Sequence, residues 1–294
     1  MQRLAFIGLG SMGAPMAGCL ASAGFDLAVF DVSEERMQAV PGARASATPR
    51  EAADGAEAVV LMVVDGAQAG EALFGDNGAA DGLAEGAAVV LMSTVGATAV
   101  AELDERVAER SLALLDAPVS GGPRRAAAGE LLILAGGARE LFERLEPALD
   151  AMGDKVVHCG ESAGDGQAVK LVNQLLAGVH IAAAAEALAY AERLGIDRRL
   201  AWEAVRHGAA ASFMLDDRGA RMVEQQFGSV TSALDIFVKD MGLVMDGAER
   251  IGARAPLAEA ARRVYQEGAA LGLGAEDDAG VIRVFERSLD EEEG

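Results

Sequence analysis

The chain has 294 residues, 51% of them hydrophobic, and 46 acidic residues against 25 Lys and Arg give a formal net charge of −21. This length and apolar content suit one large or two ordinary domains, which excludes a disordered chain, a collagen-like repeat and a disulfide-rich scaffold. The negative charge repels phosphate backbones and anionic lipid, and no basic patch is visible. We therefore expect neither a nucleic acid nor a membrane as partner.

Targeting signals and cysteine chemistry are not indicated. The chain opens directly into an apolar run without the basic stretch and cleavage site of a secretory signal. The most apolar internal stretch, residues 175–189, is interrupted twice by polar side chains and is shorter than a membrane span. Cys19 and Cys159 lie far apart and have the pattern of structural thiols in a reducing compartment. We expect a soluble, cytoplasmic protein.

Short apolar runs alternate with helical patterns over the first half of the chain. We predict buried strands at residues 4–7, 27–30, 58–64, 88–92, 112–115, 131–134 and 156–158. Between them, Thr48-Pro49-Arg50-Glu51 has the composition of a capping box at a helix start. Such alternation favours parallel strands with right-handed crossovers, and so an α/β fold with a doubly wound parallel sheet.

The strand pattern stops after about Gly160, and the rest of the chain reads as helices broken at glycine-rich turns. The first of these helices extends over residues 166–194, which is long for a small domain and would connect the two halves as a spine. We predict two domains, a nucleotide-binding domain over residues 1–162 and an all-helical domain over residues 163–294.

The first strand leads directly into a glycine-rich turn, Gly8-Leu9-Gly10-Ser11-Met12-Gly13, and a helical pattern follows it. The GxGxxG spacing lets a backbone turn tightly and approach a pyrophosphate at a helix N-terminus. The alternative is an ordinary tight turn between a strand and a helix. The context of strand, turn, helix and second strand favours a dinucleotide site.

Asp31 directly follows the second predicted strand, 18 residues after Gly13, where a carboxylate accepts hydrogen bonds from the adenosine ribose. A carboxylate there repels the 2′-phosphate of NADP, whereas the nearby Arg36 offers the opposite charge. We expect NAD to be preferred over NADP.

Two further segments have the composition of a catalytic site. Ser120, Gly121 and Gly122 follow a predicted strand, where the hydroxyl and two backbone amides could hold a carboxylate; the alternative is a Gly-Gly turn with a capping serine. On the long helix, Lys170, Asn173 and Gln174 share one face, and Gly166 one turn earlier would leave room for a ligand.

Lys170 stands among apolar neighbours, where a bare ammonium is costly. Burial beside a positively charged nicotinamide would favour the neutral amine that proton transfer needs. The alternative is a lysine that extends from a surface helix into solvent.

Other polar residues give little signal. Lys239 and Asp240 adjoin in a helical pattern, which is usual for a solvated face. The three histidines are scattered and no carboxylate or Cys stands at metal-ligand spacing, so we expect no metal and no Ser-His-Asp nucleophile.

Taken in order, these segments resemble the beta-hydroxyacid dehydrogenase family over essentially the whole chain. The resemblance rests on the glycine turn with Met16, on residues 116–122 and 164–173, and on Lys239-Asp240. It implies an N-terminal Rossmann domain, a long connecting helix, and a C-terminal helical domain that helps to build a homodimer or homotetramer.

The same resemblance implies roles for individual residues. Lys170 would be the catalytic acid/base, Ser120 to Gly122 would bind the substrate carboxylate, and Asn173 would orient the substrate. Thr94 and Lys239 match positions that contact the nicotinamide cofactor. Val64 and Asp65 stand where many members carry Leu-Pro, a departure within another cofactor loop.

A narrower similarity to the L-threonate dehydrogenase branch is visible in residues 174–183, 233–240 and 274–278. It implies oxidation of a four-carbon sugar acid to the oxo acid by hydride transfer to NAD. Asn173 departs from that branch, where His can stand, and agrees with the wider family. The alternatives are a 3-hydroxyisobutyrate dehydrogenase and a tartronate semialdehyde (2-hydroxy-3-oxopropionate) reductase. More remote are imine-reducing relatives, which generally lack the lysine, and a non-catalytic interaction module, which should also gain basic segments.

Overall fold

The computed structural model describes residues 2–287. The chain divides into two compact units, Met1–Lys170 and Leu171–Gly294. The first unit is an α/β domain and the second is helical. The boundary between the units falls inside one continuous helix, Asp165–Arg193. The predicted catalytic residue, Lys170, is the last residue of the first unit.

Nine strands form one sheet in the first unit. They are β1 (Arg3–Ile7), β2 (Asp26–Phe30), β3 (Arg44–Ala45), β4 (Ala58–Leu61), β5 (Ala88–Leu91), β6 (Ala113–Asp116), β7 (Val119–Ser120), β8 (Leu131–Gly136) and β9 (Gly153–Gly160). The order is β3-β2-β1-β4-β5-β6-β8-β7, with β9 paired to β8. All seven predicted strands are present, whereas the two-residue strands β3 and β7 have no hydrophobic pattern of their own and were not predicted.

The sheet is buried on both faces. In β1, Leu4 and Phe6 pack into one apolar cluster while Ala5 and Ile7 pack into another on the opposite side. This double burial explains why the strands read as continuous apolar runs in the sequence. The chain order reverses at β1, so β2 and β4 flank it and the glycine turn leaves the sheet at the switch point.

The sheet departs from the predicted all-parallel arrangement at one edge. β6 and β7 both run antiparallel to β8 in one continuous register, while β9 is parallel to β8. Only ten residues separate Ser120 from Leu131, and parallel neighbours need a crossover of about a dozen residues or more. The short connection, which contains only the seven-residue helix Gly122–Ala128, therefore returns the chain in the antiparallel direction.

The helices of the first unit cover the sheet. They are α1 (Gly13–Ser22), α2 (Glu34–Gln38), α3 (Pro49–Ala53), α4 (Gly66–Phe74), α5 (Ala97–Ala108), α6 (Gly122–Ala128) and α7 (Arg139–Asp150), with a 3-10 turn at Ala79–Asp81. The predicted cap is present at α3, where Thr48 Oγ1 accepts from Glu51 N at 3.1 Å. Glu51 in turn accepts from Ala47 N at 2.9 Å, one residue before the N-cap, so its carboxylate also holds the chain entering the helix.

The long helix α8 (Asp165–Arg193) agrees with the predicted helix within a residue at each end. The second unit continues with α9 (Arg198–Val205), α10 (Phe213–Glu224), α11 (Leu234–Arg250), α12 (Pro256–Ala270), a 3-10 turn at Asp278–Val281 and α13 (Ile282–Glu286). At 29 residues, α8 is long and apolar enough to cross a membrane by length and composition. Residues 175–189, the apolar stretch predicted to be too short for a membrane span, lie inside this longer helix. Core helices meet the same criterion, and 44% of its most apolar window is buried.

Candidate active site

The glycine turn after β1 has the shape that a dinucleotide needs. A Cβ on Gly8, which has φ of +93°, would lie 2.3 Å from Met62 O, and a Cβ on Gly13 would lie 1.9 Å from Gly8 O. These two glycines are therefore required for packing of the turn itself. A Cβ on Gly10 would meet nothing within 4 Å, so this backbone is open to an approaching group. The residues present fit a pyrophosphate at the start of α1.

Asp31 holds the same turn from the end of β2. Its carboxylate is buried and accepts from Leu9 N at 2.7 Å and from Ser33 N at 2.9 Å, while Arg36 lies 3.6 Å away. This contact with the glycine turn was not predicted from the sequence. Because a carboxylate offers about four acceptor sites, the two backbone contacts leave capacity for ribose hydroxyls.

The cofactor loops predicted after β4 and β5 are tied to each other. Ser93 Oγ accepts from Val63 N at 2.8 Å, which joins the ends of the two strands. Asp65 is the N-cap of α4 and accepts from Gln68 N at 2.9 Å, and Val64 is exposed beside it. Thr94 lies in the next loop along this edge of the sheet.

Asp116 is the last residue of β6 and is fully buried. Its two oxygens accept from Gly164 N at 2.8 Å and from Gln167 N at 2.6 Å, which anchors the first turn of α8 to the strand end. Burial raises the pKa of this carboxyl to about 6, although the backbone N–H donors oppose the shift. The structure thus places a buried acid under the helix that carries Lys170.

Gly166 does not leave room for a ligand, contrary to the prediction. A Cβ there would lie 2.3 Å from Leu134 O and 2.8 Å from an oxygen of Asp116. The missing side chain instead allows α8 to pack directly on the backbone of β8.

Gln167 is fully buried in the same turn, and its side-chain amide is satisfied by one loop. Its Oε1 accepts from Val95 N at 3.1 Å and Gly96 N at 3.3 Å, and its Nε2 donates to Ser93 O at 3.0 Å. The loop of residues 93–96, which contains Thr94, is therefore held by the start of α8.

Lys170 is buried and does not extend into solvent. Its side chain is 5% exposed, and Nζ donates to Val119 O at 2.7 Å. The acceptor immediately precedes Ser120, so the amine lies next to the turn that Gly121 and Gly122 form with φ of +142° and +75°. The structure thus brings together the lysine and the serine-glycine turn that the sequence singled out separately.

The remaining predicted residues lie in the second unit and form a hydrogen-bonded chain. Asn173 Nδ2 donates to Gln174 Oε1 at 2.8 Å, and Gln174 Nε2 donates to Asp240 Oδ2 at 2.5 Å. Lys239 Nζ lies 3.1 Å from the other oxygen of Asp240. Asp240 is 3% exposed, so this pair is not the solvated face that the sequence suggested. Since a carboxylate only accepts, Asp240 fixes the orientation of both amides.

Sequence reasoning did not assign functional roles to three of these residues. Asp116, Gln167 and Asp240 are polar positions within otherwise apolar strands or helix faces. A polar residue at a core position is the signal that could have identified them, because such a group is retained only when it is hydrogen-bonded.

Two family models of known proteins match consecutive parts of the chain. Residues 3–160 match the NAD binding domain of 6-phosphogluconate dehydrogenase. Residues 164–285 match the NAD-binding family model of NADP-dependent 3-hydroxyisobutyrate dehydrogenase.

Individual relatives are similar over nearly their full length. An L-threonate dehydrogenase of Haemophilus influenzae is 41% identical, with 96% of this chain and 94% of the relative covered. One from Pectobacterium atrosepticum is 40% identical, with 96% and 93% covered. The crystal structure of a 3-hydroxyisobutyrate dehydrogenase from Salmonella typhimurium has a TM-score of 0.89 at 38% identity, covering 97% of this chain and 100% of that one. The chain is thus a nicotinamide-dependent oxidoreductase and belongs to the beta-hydroxyacid dehydrogenase family.

Proposed function

We propose that the protein oxidises L-threonate, or a similar four-carbon sugar acid, to the oxo acid with NAD, and that Lys170 is the acid/base. The observation that carries the proposal is the buried amine of Lys170, 2.7 Å from Val119 O beside the serine-glycine turn. This contact orients the amine beside the serine-glycine turn. The similarity to L-threonate dehydrogenases supports the substrate class.

The residues of the chain divide the work between binding and proton transfer. Ser120 Oγ and the amides of Gly121 and Gly122 hold the substrate carboxylate, and Asn173, one turn after Lys170 on α8, orients the substrate. Gln174 holds Asn173 in place. Neutral Lys170 takes the hydroxyl proton at Nζ, and its ammonium form returns the proton in the reverse direction. A nicotinamide held by the loops at Val64-Asp65 and Thr94 would supply the acceptor for the hydride of the hydroxyl-bearing carbon.

The cofactor side of the proposal rests on the first unit. The glycine turn Gly8–Gly13 receives the pyrophosphate, Asp31 the adenosine ribose, and the loops at Val64-Asp65 and Thr94 the nicotinamide half, with Lys239 as a further contact. The buried carboxylate of Asp31 favours NAD because it repels a 2′-phosphate, and the following residue, Val32, is 93% exposed and offers no charge. A higher kcat/KM with NADP than with NAD would refute this preference.

A substrate panel tests the reaction. L-threonate, D-erythronate, D-glycerate and 3-hydroxyisobutyrate are offered with NAD, and initial rates are followed by NADH absorbance. We expect the highest kcat/KM with one of the two four-carbon sugar acids. Turnover of 3-hydroxyisobutyrate alone would replace the threonate assignment with the function named for the Salmonella relative. Absence of turnover on all four would refute the proposal.

We also propose that the protein is a homodimer or homotetramer whose contact with a second copy includes one face of α8. Val172, Leu176, Ala183 and Tyr190 recur at spacings of four and seven on that helix, and all four are exposed. Light scattering after size exclusion should give two or four chain masses, and Leu176→Glu should lower the mass. Leu257→Glu, at an exposed leucine of α12, is the matched control and should not. A monomeric wild type would refute the assignment.

A further inference from the structure

The first turn of α8 and Lys170 in the next turn contact the ends of three strands of the first unit. Asp116 at the end of β6 accepts from the backbone of this turn, Lys170 donates to Val119 of β7, and Gln167 holds the loop after β5. Strands β5 and β6 are parallel neighbours, so their carboxyl ends lie at one edge. This turn is therefore the part of the unit where the loop containing Thr94 and the proton-transfer group are connected.

Gln167 makes the loop contact in a way that a merely space-filling residue could not. A glutamine is rarely fully buried, and a buried amide is stable only when its oxygen and nitrogen both have partners. Here the oxygen serves two successive backbone N–H groups and the nitrogen serves a carbonyl two residues earlier. Every backbone group that Gln167 touches belongs to the short segment from Ser93 to Gly96, so the amide fixes the path of that segment.

The same residue is rigidly connected to Lys170. The two residues are three apart in one helix, so their side chains project from the same side and are about 4.5 Å apart along the axis. The backbone N–H of Gln167 is also held by Asp116 at 2.6 Å, which prevents the helix start from shifting along the strand ends. The position of the loop relative to Nζ of Lys170 is thus set through one helical turn.

We propose that Gln167 is a positioning residue that holds the loop of residues 93–96 at a fixed distance from Lys170. The inference rests on the proposed function, in which this loop contacts the nicotinamide half of the cofactor and Lys170 moves the hydroxyl proton. The hydride leaves the hydroxyl-bearing carbon and the proton leaves the oxygen bonded to it. The nicotinamide and Nζ of Lys170, which receive them, must therefore stand at the correct distance from each other. A displacement of about 1 Å at such a site can cost about 100-fold in rate.

Two substitutions separate positioning from simple packing. Gln167→Met preserves the length of the side chain but removes all three hydrogen bonds. Gln167→Glu keeps an oxygen for Val95 N and Gly96 N but places a second oxygen against Ser93 O. Leu149→Ala, at a buried leucine of α7, is the control for loss of stability without a change in the loop.

The first measurement is made without cofactor. Amide hydrogen exchange at Val95 and Gly96 should accelerate about tenfold or more in Gln167→Met, and remain unchanged relative to global unfolding in Leu149→Ala. Unchanged exchange at both amides in Gln167→Met would overturn the proposal. This result is independent of whether the enzyme acts on threonate, so failure of the proposed function would be recognised separately, by absent wild-type turnover on the substrate panel.

The second measurement uses the best hydroxy acid of the panel. We expect kcat to fall about 10- to 100-fold in Gln167→Met and less in Gln167→Glu, while the Kd for NADH changes less than threefold. Deuterium at the hydroxyl-bearing carbon should slow the variants more than the wild type, because a misplaced hydride step becomes rate-limiting. An unchanged kcat, an equal loss in Leu149→Ala, or failure of both Gln167 variants to fold would each overturn the positioning role.

Discussion

The buried carboxyl of Asp116 should make the stability of the first unit depend on pH in an unusual direction. Its pKa is raised from 3.8 to about 6 because burial disfavours the carboxylate. The folded protein therefore binds this proton more tightly than the unfolded chain. The carboxyl's contribution to stability is fully present below pH 4 and is lost as pH rises through 6, by a total of about 3 kcal/mol.

Asp116→Asn isolates this effect, because the substituted amide does not titrate and all other groups are unchanged. Urea unfolding of the first unit is measured for wild type and variant between pH 4 and pH 7. The free energy of unfolding of the wild type minus that of Asp116→Asn should fall by about 2.4 kcal/mol as pH rises across this interval, most of the total. For Leu149→Ala, which removes no titrating group, the corresponding difference should be constant. A difference for Asp116→Asn that is flat or that increases with pH would refute the reasoning.

Four other substitutions address the remaining parts of the site. Lys170→Ala should lower kcat about 10²–10⁴-fold and leave NADH binding, measured by fluorescence, in place; retained turnover would remove its acid/base role. Gly13→Ala should destabilise the first unit, since its Cβ would lie 1.9 Å from a carbonyl oxygen, whereas Gly10→Ala should keep the wild-type Tm and weaken NADH binding. If both substitutions changed Tm and NADH binding equally, the different roles given to Gly10 and Gly13 in the glycine turn would be wrong. In Asp240→Asn the new side-chain NH2 can donate to Gln174, so the Gln174 amide is no longer held in one orientation. KM for the hydroxy acid should then rise more than kcat falls. An unchanged KM would show that this chain of amides does not affect substrate binding.

The sequence predicted the strands whose signal is local. Continuous apolar runs identify strands buried on both faces, and β1, β2 and β5 agree with their predictions within a residue. The two-residue strands β3 and β7 were not predicted because a pair of residues has no periodicity. The antiparallel direction of β8 was not predicted because strand direction depends on the length of the connection after Ser120, which a pattern of apolar residues does not encode.

The candidate site divides in the same way. Gly8, Gly10 and Gly13 and the Lys170 helix are recognisable because backbone geometry and helical spacing restrict residue types locally. Gly166 was assigned wrongly, since the sequence shows a missing side chain but not what fills the space, which is the backbone of β8.

The amino-acid order by itself determined the α/β class, the glycine turn, the long helix and the family. Only the tertiary structure decided which polar groups are buried together. It placed Asp116 under the start of α8, Gln167 against the loop after β5, and Asp240 against Gln174, and the partners are 51, 74 and 66 positions apart in the sequence. Such pairings follow from the burial of apolar surface around the polar groups, which must then find partners far away in the chain.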